Sequence, residues 1–450
     1  MRRKHYKRQS VRAAVVSVAE KRAIRAETAR QFVKEGWRYC RKNETVDVKQ
    51  VDSSGVSDFP VHRCSREDSP YDIFRLLLPN SMVHATLKKR WEEFGGIKLN
   101  KGRGKVSTVK MSVFNALSVL AVKILIQGWQ DKLLNIEQAV RDAVHDLHIT
   151  NSKIVCARTM VRLVCRYWFE VDTVEEYQIS EYMGDVFSSF GDSVSGDEKL
   201  FGYAGMSGYV RQVITKPSRL GLWMFQAAVR LECGLPCLIY TRMHSSCMEN
   251  NRVIKCFQTV KDWGDMIHER FTLGKAVLYM DSYYLTEESR KYLRQKKVMY
   301  VASITRNRFA TIVNSLETKL EKSGTHVTAY NKKTKEAATY CWSINSRIGK
   351  KFVLATGFKV VGKAQDNHVC PLYDQYCMGF NGCDLYNRCL HSKTWPYKQQ
   401  GDIRNGSDYL FTCVLINTYH LWIDAGRPED NRRDVKWRDF CTQLAHEMLV

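Results

Sequence analysis

The sequence predicts an α/β protein in which a mixed sheet flanked by helices follows a helical N-terminal domain. The first observation behind this prediction is an apolar run, residues 277–280, that ends in Asp281 and precedes a helical pattern and a second apolar strand. The second is the helical spacing of apolar residues from Pro70 to about Tyr182. With 450 residues, the chain exceeds what one hydrophobic core usually supports, so we expect two or three domains.

The segment after Asp281 has the signals of a helix with a defined start. Thr286 is a typical N-cap residue, acidic residues fill the first turn, and basic residues fill the later turns, which matches the helix dipole. Residues 298–304 then predict the next strand. Strand, helix and strand form a β/α unit, and ligands of such sheets bind outside the carboxyl ends of the strands. Asp281 is therefore the first candidate for a functional side chain.

The other elements follow from changes of pattern along the chain. Residues 222–231 and 236–242 flank Cys233 and Gly234, which predicts a strand pair joined by a short turn. Residues 253–271 predict a helix, and residues 408–423 are apolar enough to pack as a helix on a sheet. The predicted division of the chain is a basic arm and linker (1–68), a helical dimerisation or DNA-binding domain (69–190), the first part of the core (191–304), a basic insertion (305–365), and the second part of the core with the C-terminal helices (366–450).

The charge of the chain favours a polyanionic partner, above all nucleic acid. Lysine and arginine number 70 against 47 aspartates and glutamates, which leaves a net charge of +23. Residues 1–43 carry 14 basic and 3 acidic side chains and residues 305–363 carry 12 and 3, whereas residues 170–198 carry 9 acidic and no basic ones. The two basic segments are either solvated excursions or surfaces that face nucleic acid, and the first also fits a nuclear-import signal.

The sequence disfavours structural zinc, disulfides and a membrane span. The 15 cysteines include no Cys-x-x-Cys pair, so we expect free or buried thiols in a reducing compartment. The N-terminus is charged, and no apolar segment of the signal-peptide type follows it. Residues 113–126 are apolar but too short to cross a bilayer and contain Lys123, so they predict a core helix. The absence of a nucleophile-elbow motif and of a glycine-rich phosphate loop argues against nucleophilic hydrolases and NTPases.

Asp281 needs partner side chains, because one carboxylate cannot hold the two hard cations that phosphoryl transfer uses. Asp197, next to Glu198, lies just before the predicted strand pair, and Asp384 lies at the start of a predicted helix. An acidic residue before a hairpin, one after the next strand and one on a later helix is the order of an RNase H-like nuclease core. Each aspartate alone also fits a cap or a turn, whereas the three together favour a catalytic core.

Three blocks of sequence around these aspartates resemble the piggyBac transposase family. The first block is Asp197-Glu198, followed by Lys216-Pro217 and then by Gly221 and Trp223. The second is Met280-Asp281-Ser282-Tyr283-Tyr284, followed by Thr305-Arg306-Asn307-Arg308. The third is the segment from Tyr373 to Met378, followed by Asn381-Gly382-Cys383-Asp384. The resemblance extends from about residue 70 to the C-terminus and is specific as an ordered set of motifs.

The resemblance implies a transposase of the DDE type on an RNase H-like core. Asp197, Asp281 and Asp384 would be catalytic ligands of two Mg²⁺ or Mn²⁺ ions, which activate water to nick DNA and then support strand transfer. Asn387 stands where family members usually have a further aspartate, so it would be a weaker fourth ligand. In an alternative register, Asn381 is the third ligand and Asp384 the fourth.

The resemblance also implies partners and a location. These are double-stranded DNA, as transposon ends and a TTAA-type target, a homodimeric assembly, and the nucleus. Lys216, Arg306 and Arg308 are candidate phosphate contacts, and Trp395 either stacks on a distorted base or is a core aromatic residue. Two other functions stay open: a catalytically inactive, transposase-derived DNA-binding protein, for which Asn387 is the sequence hint, and a metal-dependent nuclease on the same core.

Overall fold

The fold contains helices and strands in both of its compact units. The computed structural model describes residues 18–40, 44–48, 64–93, 98–100, 106–108, 111–129, 135–149, 160–161, 164, 193–202, 210–212, 220–231, 233–243, 252–271, 276–320, 326–342, 350–356, 358–362, 371–393, 402–426 and 435–450. The first unit joins residues 1–49 to residues 303–374, and the second joins residues 50–302 to residues 375–450.

The elements are numbered in chain order. The helices are α1 (Val18–Lys34), α2 (Pro70–Leu77), α3 (Asn80–Glu93), α4 (Val113–Gly128), α5 (Ile136–Asp146), α6 (Arg252–Arg270), α7 (Glu287–Gln295), α8 (Ala310–Lys319), α9 (Pro371–Phe380), α10 (Gly382–His391), α11 (Asp402–Ala425) and α12 (Trp437–Glu447). The strands are β1 (Trp37–Tyr39), β2 (Glu44–Val48), β3 (Lys98–Asn100), β4 (Val106–Thr108), β5 (Ser193–Gly202), β6 (Val210–Gln212), β7 (Leu220–Arg230), β8 (Pro236–Met243), β9 (Val277–Met280), β10 (Met299–Ser303), β11 (His326–Asn331), β12 (Glu336–Trp342), β13 (Lys350–Thr356) and β14 (Phe358–Gly362).

The second unit is built on a mixed sheet, as the sequence predicts. Strands β10, β9 and β5 run parallel to one another, and β7 pairs antiparallel with β5. Strands β8 and β6 pair antiparallel with β7, each at a different end of it. The predicted strand pair is confirmed as β7 and β8, and Gly234 in their turn has a positive φ of 87° that favours glycine. All four residues of β9 are buried, which explains its unbroken apolar sequence.

Helices lie on both faces of this sheet. On one face, α6 contacts β5 through Trp263, because a Cβ atom on Gly196 would lie only 2.6 Å from the Trp263 ring. On the other face, α10 lies against β5, β7 and β8, and α11 lies against β8. Helix α7 begins at the predicted N-cap, since the Thr286 side chain accepts a hydrogen bond from the Ser289 amide. The prediction of an α/β fold with a mixed sheet between helices is therefore confirmed.

Residues 70–149 form the helical region that the sequence predicts, with one exception. Helix α2 starts with a capping box between Ser69 and Asp72, and α4 is buried over most of its length. Helices α3, α5 and α12 pack against α4, and α2 packs against α11 and α12. The exception is the hairpin of β3 and β4, which the helical pattern did not predict. The predicted helix at residues 155–168 falls almost entirely outside the described residues.

The first unit combines segments that the sequence-based division kept apart. Strand β1 pairs antiparallel with β11, and β2 pairs antiparallel with β14. Strands β11, β12 and β13 form an antiparallel meander. Helix α1 covers β1, because the ring of Phe32 stacks on Trp37 and Tyr39 with centroid distances of 5.9 and 5.0 Å. The division that assigned residues 1–68 to an arm and linker differs from this arrangement. Strands β1 and β2 pair with strands about 300 residues away in sequence, and the pairing of such distant strands is set only in the folded chain.

Candidate functional site

Two of the three candidate aspartates lie side by side on neighbouring parallel strands. In the register of β5 and β9, Gly196 is the partner of Met280. Asp197 and Asp281 directly follow these two residues, and both are half-buried. Neighbouring strands lie about 4.8 Å apart, so the two carboxylates occupy one edge of the sheet. Asp197 was predicted just before a strand pair, and the structure places it inside β5 itself.

The alternation of side chains along β5 decides which way Asp197 faces. Gly196 faces Trp263 of α6. Side chains alternate between the two faces of a strand, so Ser195, Asp197 and Lys199 face the opposite side, where α10 lies. Glu198 instead shares the face of Gly196, and the Tyr284 hydroxyl donates a hydrogen bond to its carboxylate. Of the two acidic neighbours, Asp197 is therefore the one directed toward α10.

The first turn of α10 is fixed to β5 by three hydrogen bonds around Ser195. The Ser195 hydroxyl donates to the carbonyl of Phe380 (2.6 Å) and accepts from the amide of Cys383 (3.3 Å). The Cys383 thiol donates to the carbonyl of Ser195 (3.0 Å). A Cβ atom on Gly382 would lie 2.9 Å from the Ser195 Cβ, so the backbones approach as closely as only glycine allows. Asp384, exposed in this turn, is held on the same face of the sheet as Asp197.

The electrostatic environment of two buried residues links all three aspartates. Burial raises the pKa of the Cys383 thiol, and the carboxylates of Asp197 and Asp384 raise it further. Burial likewise raises the pKa of Tyr284, and the nearby carboxylates of Glu198, Asp197 and Asp281 add to that shift. Both groups therefore stay protonated and serve as hydrogen-bond donors. Asp197 and Asp384 thus lie close enough to Cys383, and Asp197 and Asp281 close enough to Tyr284, to affect the pKa of those groups.

Asn387 lies one helical turn beyond Asp384. Its backbone carbonyl accepts a hydrogen bond from the Lys199 ammonium at 3.5 Å, so this part of α10 also lies over β5. The Asn387 side-chain oxygen is buried and has no hydrogen-bond partner among the described residues. Such an oxygen is expensive to bury alone, which leaves it available as an acceptor or a ligand. Asn381, the alternative third ligand, is exposed, and its side-chain amide donates to the Cys377 carbonyl at 2.7 Å.

The donor atoms fit a hard divalent cation in chemistry but do not form a closed ligand set. Carboxylate and amide oxygens are the ligands that Mg²⁺ and Mn²⁺ prefer. In this conformation, one oxygen of Asp197 accepts from the Glu198 amide (2.8 Å) and one oxygen of Asp281 from the Tyr283 amide (2.6 Å). Within the described part of the chain, no three His, Cys, Asp or Glu side chains converge closely enough to hold a metal ion.

Two of the four predicted DNA contacts lie among the described residues. Lys216 and Trp395 lie outside the described residues. Arg306 and Arg308 belong to the first unit, where both are exposed. Arg306 forms an ion pair with Glu317 of α8. The carboxylates and α10 belong to the second unit.

Sequence reasoning missed two features of this region. The first is the pairing of Tyr284 with Glu198, for which the sequence gives no signal because the two residues are far apart in the chain. The second is Ser195, whose hydroxyl holds the first turn of α10. Ser195 lies two residues before Asp197 in the same strand, and residues two apart in a strand share a face. This spacing is the sequence signal that could have identified Ser195.

Eleven cysteines are described, and all of them are free thiols. None of the helices described is both long enough and apolar enough to cross a membrane.

Comparison with solved structures shows a likeness at the level of the fold. No protein-family model matches the chain, and no curated protein matches it by sequence. Among solved structures, the fold is similar to that of piggyBac transposase in a synaptic complex with hairpin DNA, determined by cryo-electron microscopy. The TM-score is 0.63 and the sequence identity 13%, and the match covers 85% of this chain and 80% of the transposase chain. The likeness therefore extends over most of both chains at the level of the fold.

Proposed function

We propose that this protein is a transposase-like enzyme that cuts DNA and transfers its strands. The observation that supports this most is the placement of Asp197 and Asp281 at matching positions of two parallel strands. The first turn of α10, which bears Asp384, is fixed on the same face. The similarity of the fold to piggyBac transposase adds support, because that protein was solved in a synaptic complex with DNA.

The strand order supports an RNase H-like core. In that fold, three antiparallel strands are followed by two strands parallel to the first, and the first strand lies at the centre. Strands β5, β7 and β8 are antiparallel neighbours in this order, and β9 and β10 then extend the sheet on the other side of β5, parallel to it. Segment 305–365, between β10 and α9, is the proposed insertion in this core.

Asp197, Asp281 and Asp384 are the proposed ligands of two Mg²⁺ or Mn²⁺ ions, with Asn387 as a fourth. When bound, the ions would activate the attacking water or 3′ hydroxyl and stabilise the charge that develops on the phosphate. The three carboxylates supply the negative charge that favours cation binding. Asn387 supplies an oxygen without charge, and the lack of a partner for that oxygen supports its role as a ligand.

The substrate in this proposal is double-stranded DNA. The net charge of +23 favours attraction to a polyanion. The motif resemblance alone adds four further parts to the proposal: transposon ends, a TTAA-type target, a homodimeric assembly and a nuclear location. Arg306 and Arg308 are proposed phosphate contacts, since both are exposed, and Lys216 and Trp395 remain candidates on their sequence positions.

The proposal is tested by nicking of supercoiled DNA with purified full-length protein and Mg²⁺ or Mn²⁺. We expect wild type to nick, and Asp281→Asn to lose activity by on the order of 100-fold or more, because metal ligands supply several kcal/mol of transition-state stabilisation. Asp197→Asn and Asp384→Asn should behave alike. Asp146→Asn, which changes a half-exposed aspartate at the end of α5, is the matched control and should retain wild-type activity.

The same assay separates the alternatives. DNA binding without nicking by wild type would favour a catalytically inactive DNA-binding descendant. Nicking without strand transfer into a target plasmid would favour a nuclease. Equal nicking by wild type and Asp281→Asn would contradict the assignment of the site. Asn387→Asp then examines the fourth ligand, and we expect it to lower the metal concentration needed for half-maximal nicking because it adds a negative charge.

A further inference from the structure

The turn between β11 and β12 concentrates positive charge on the surface of the first unit. Lys332, Lys333 and Lys335 are all exposed in this four-residue turn. Lys34, at the end of α1, and Arg38, in β1, are also exposed and flank the turn. We call these five residues the turn patch.

Asn331 connects the turn to the segment between α1 and β1. Its side-chain oxygen accepts from the amides of Lys333 (3.0 Å) and Thr334 (3.2 Å). Its side-chain amide donates to the carbonyl of Glu35 at 2.8 Å. Gly36, with a φ of 92°, lies so close that a Cβ atom there would be 3.2 Å from the Asn331 oxygen. Lys34 and the three turn lysines therefore belong to one ordered surface rather than to independent loops.

The pairing of β1 adds Arg38 to this surface. Trp37 is the partner of Asn331, and Arg38 is the partner of Tyr330. The rings of Trp37 and Tyr39 stack on Phe32 of α1, so Arg38 faces the other side of the sheet. The patch therefore extends around the end of the hairpin, from α1 on one side to Arg38 on the other.

Among the described side chains next to the turn, two are acidic. Glu35 is exposed, and its carboxylate accepts a hydrogen bond from the Gln31 side chain at 2.9 Å. Glu336, the next residue after the turn, is fully buried and contributes no exposed charge. Among the side chains that the structure describes around this turn, five basic ones thus face solvent, and Glu35 is the exposed acidic one.

The backbone of Lys335 gives a second, independent observation. Its φ of 57° lies in the left-handed region, where glycine and asparagine are favoured and a side chain with a Cβ atom is strained. A glycine would therefore satisfy the turn better than the lysine does. The lysine at this position contributes charge to the surface at the expense of turn geometry.

We propose that the turn patch binds the phosphate backbone of duplex DNA independently of base sequence. Basic side chains supply the charge for such contacts, and an ordered surface loses little conformational entropy on binding. Proteins that bind single strands add exposed aromatic rings on which bases stack. Beside this patch, the rings of Trp37 and Tyr39 are stacked on Phe32, and Tyr330, the strand partner of Arg38, is half-buried. The described aromatic rings at the patch are therefore at least partly covered, which favours a duplex. The choice of DNA as the polyanion rests on the proposed function.

The test is the salt dependence of duplex DNA binding by full-length protein, measured by fluorescence anisotropy in EDTA. Replacing Lys332, Lys333 and Lys335 together by glutamine should reduce the slope of log K against log salt by about 2.7, since each phosphate contact contributes about 0.9. At 0.15 M salt this corresponds to a loss of affinity on the order of 100-fold. The matched triple replacement by arginine keeps the charges and should keep the slope.

Lys335→Gly separates a binding role from a structural one. We expect its slope to fall by about 0.9 while the thermal midpoint is equal to or higher than that of wild type, because glycine relieves the strained backbone. An unchanged slope in the triple glutamine variant would overturn the proposal. Tighter binding of single-stranded DNA or of duplex RNA than of duplex DNA would also overturn it.

Nicking assays on the same proteins distinguish failure of the proposed DNA-binding surface from failure of the proposed enzyme. A reduced slope in the triple glutamine variant, with no Asp281-dependent nicking by wild type, would support the DNA surface and contradict the proposed enzyme. Asp281-dependent nicking by wild type, with an unchanged slope in the variant, would support the enzyme and contradict the DNA surface.

Discussion

At the scale of residues, the candidate site depends on small side chains that allow close approach. Gly196 gives room to Trp263 on one face of β5, and Gly382 gives room to Ser195 on the other. Gly379 in α9 serves the same purpose, because a Cβ atom there would lie 2.4 Å from the Tyr279 ring. The positions of Asp197, Asp281 and Asp384 are thus set partly by neighbours that contribute no chemistry of their own.

Ser195 is predicted to position Asp384. Ser195→Ala removes the hydroxyl that bonds Phe380 and Cys383, so the first turn of α10 becomes less well held. We expect nicking to fall, or the half-saturating metal concentration to rise, by about 10–100-fold, as is typical when a supporting hydrogen bond of a ligand is lost. Metal titration of nicking is the measurement, together with DNA affinity in EDTA, which should stay unchanged.

A buried serine elsewhere provides the comparison for Ser195. Ser315 lies in α8 of the first unit and is also buried, so Ser315→Ala should leave the half-saturating metal concentration as in wild type. A parallel fall in DNA affinity and nicking in Ser195→Ala would indicate a general structural role and contradict positioning.

At the scale of elements, α11 satisfies backbone groups in the first residues of β8 and in the turn before it. Asn417 accepts from the Leu238 amide (3.0 Å) and donates to the Leu238 carbonyl (2.6 Å). One turn later, the His420 Nδ1 lies 2.6 Å from the carbonyl of Pro236, and Asp424 accepts from the Cys233 amide at 2.8 Å. Because Asn417, His420 and Asp424 follow helical spacing, one polar face of this apolar helix aligns α11 with β8 and the turn before it.

His420 makes this contact sensitive to pH. Burial lowers the pKa of His420 to about 4, whereas its ordinary value is 6.5. Since Pro236 offers only a carbonyl oxygen, the neutral imidazole donates its Nδ1 hydrogen. The unfolded chain therefore binds more protons than the folded chain between about pH 6.5 and 4. Stability should fall as pH decreases through this window, by up to about 3 kcal/mol from this group.

Urea unfolding at pH 7 and near pH 4.5 measures this effect. We expect His420→Gln to lose less stability than wild type on acidification, because it removes the group that takes up the proton. His446→Gln, at an exposed histidine of α12, is the matched control. Equal losses of stability on acidification in wild type and His420→Gln would contradict the prediction.

At the scale of the whole molecule, distant parts of the chain assemble each unit. In the second unit, α4 of the helical region packs against α12, near the C-terminus. Lys123 of α4 is fully buried and forms an ion pair with Asp408 of α11. Lys123, whose charge disfavoured a membrane span, therefore joins the helical region to α11, which lies against β8.

Breaking this buried pair should destabilise the second unit strongly. Lys123→Met leaves the buried Asp408 carboxylate without its ammonium partner, and we expect a loss of about 3–5 kcal/mol of unfolding free energy. Lys123→Met with Asp408→Leu removes both charges and should recover most of that loss. Urea unfolding followed by circular dichroism measures all three proteins. A double variant no more stable than Lys123→Met would contradict this account.

Local sequence predicted the elements of the core and much of the candidate site. The strand that ends at Asp281, the helix that starts at Thr286 and the pair β7 and β8 follow from short-range periodicity, caps and turn residues. These signals are readable because they depend on neighbouring residues only. The hairpin of β3 and β4 escaped prediction, since its short strands leave little periodicity.

By itself, the sequence determined that this is a basic α/β protein with aspartates at a strand end and a helix start. Only the tertiary structure decided that β5 and β9 pair in the register that sets Asp197 beside Asp281, and that Ser195 holds α10 on the same face. It also decided that β1 and β2 join strands about 300 residues away. The physical reason is that strand register and helix docking depend on hydrogen bonds and close approach between distant segments, which local periodicity does not encode.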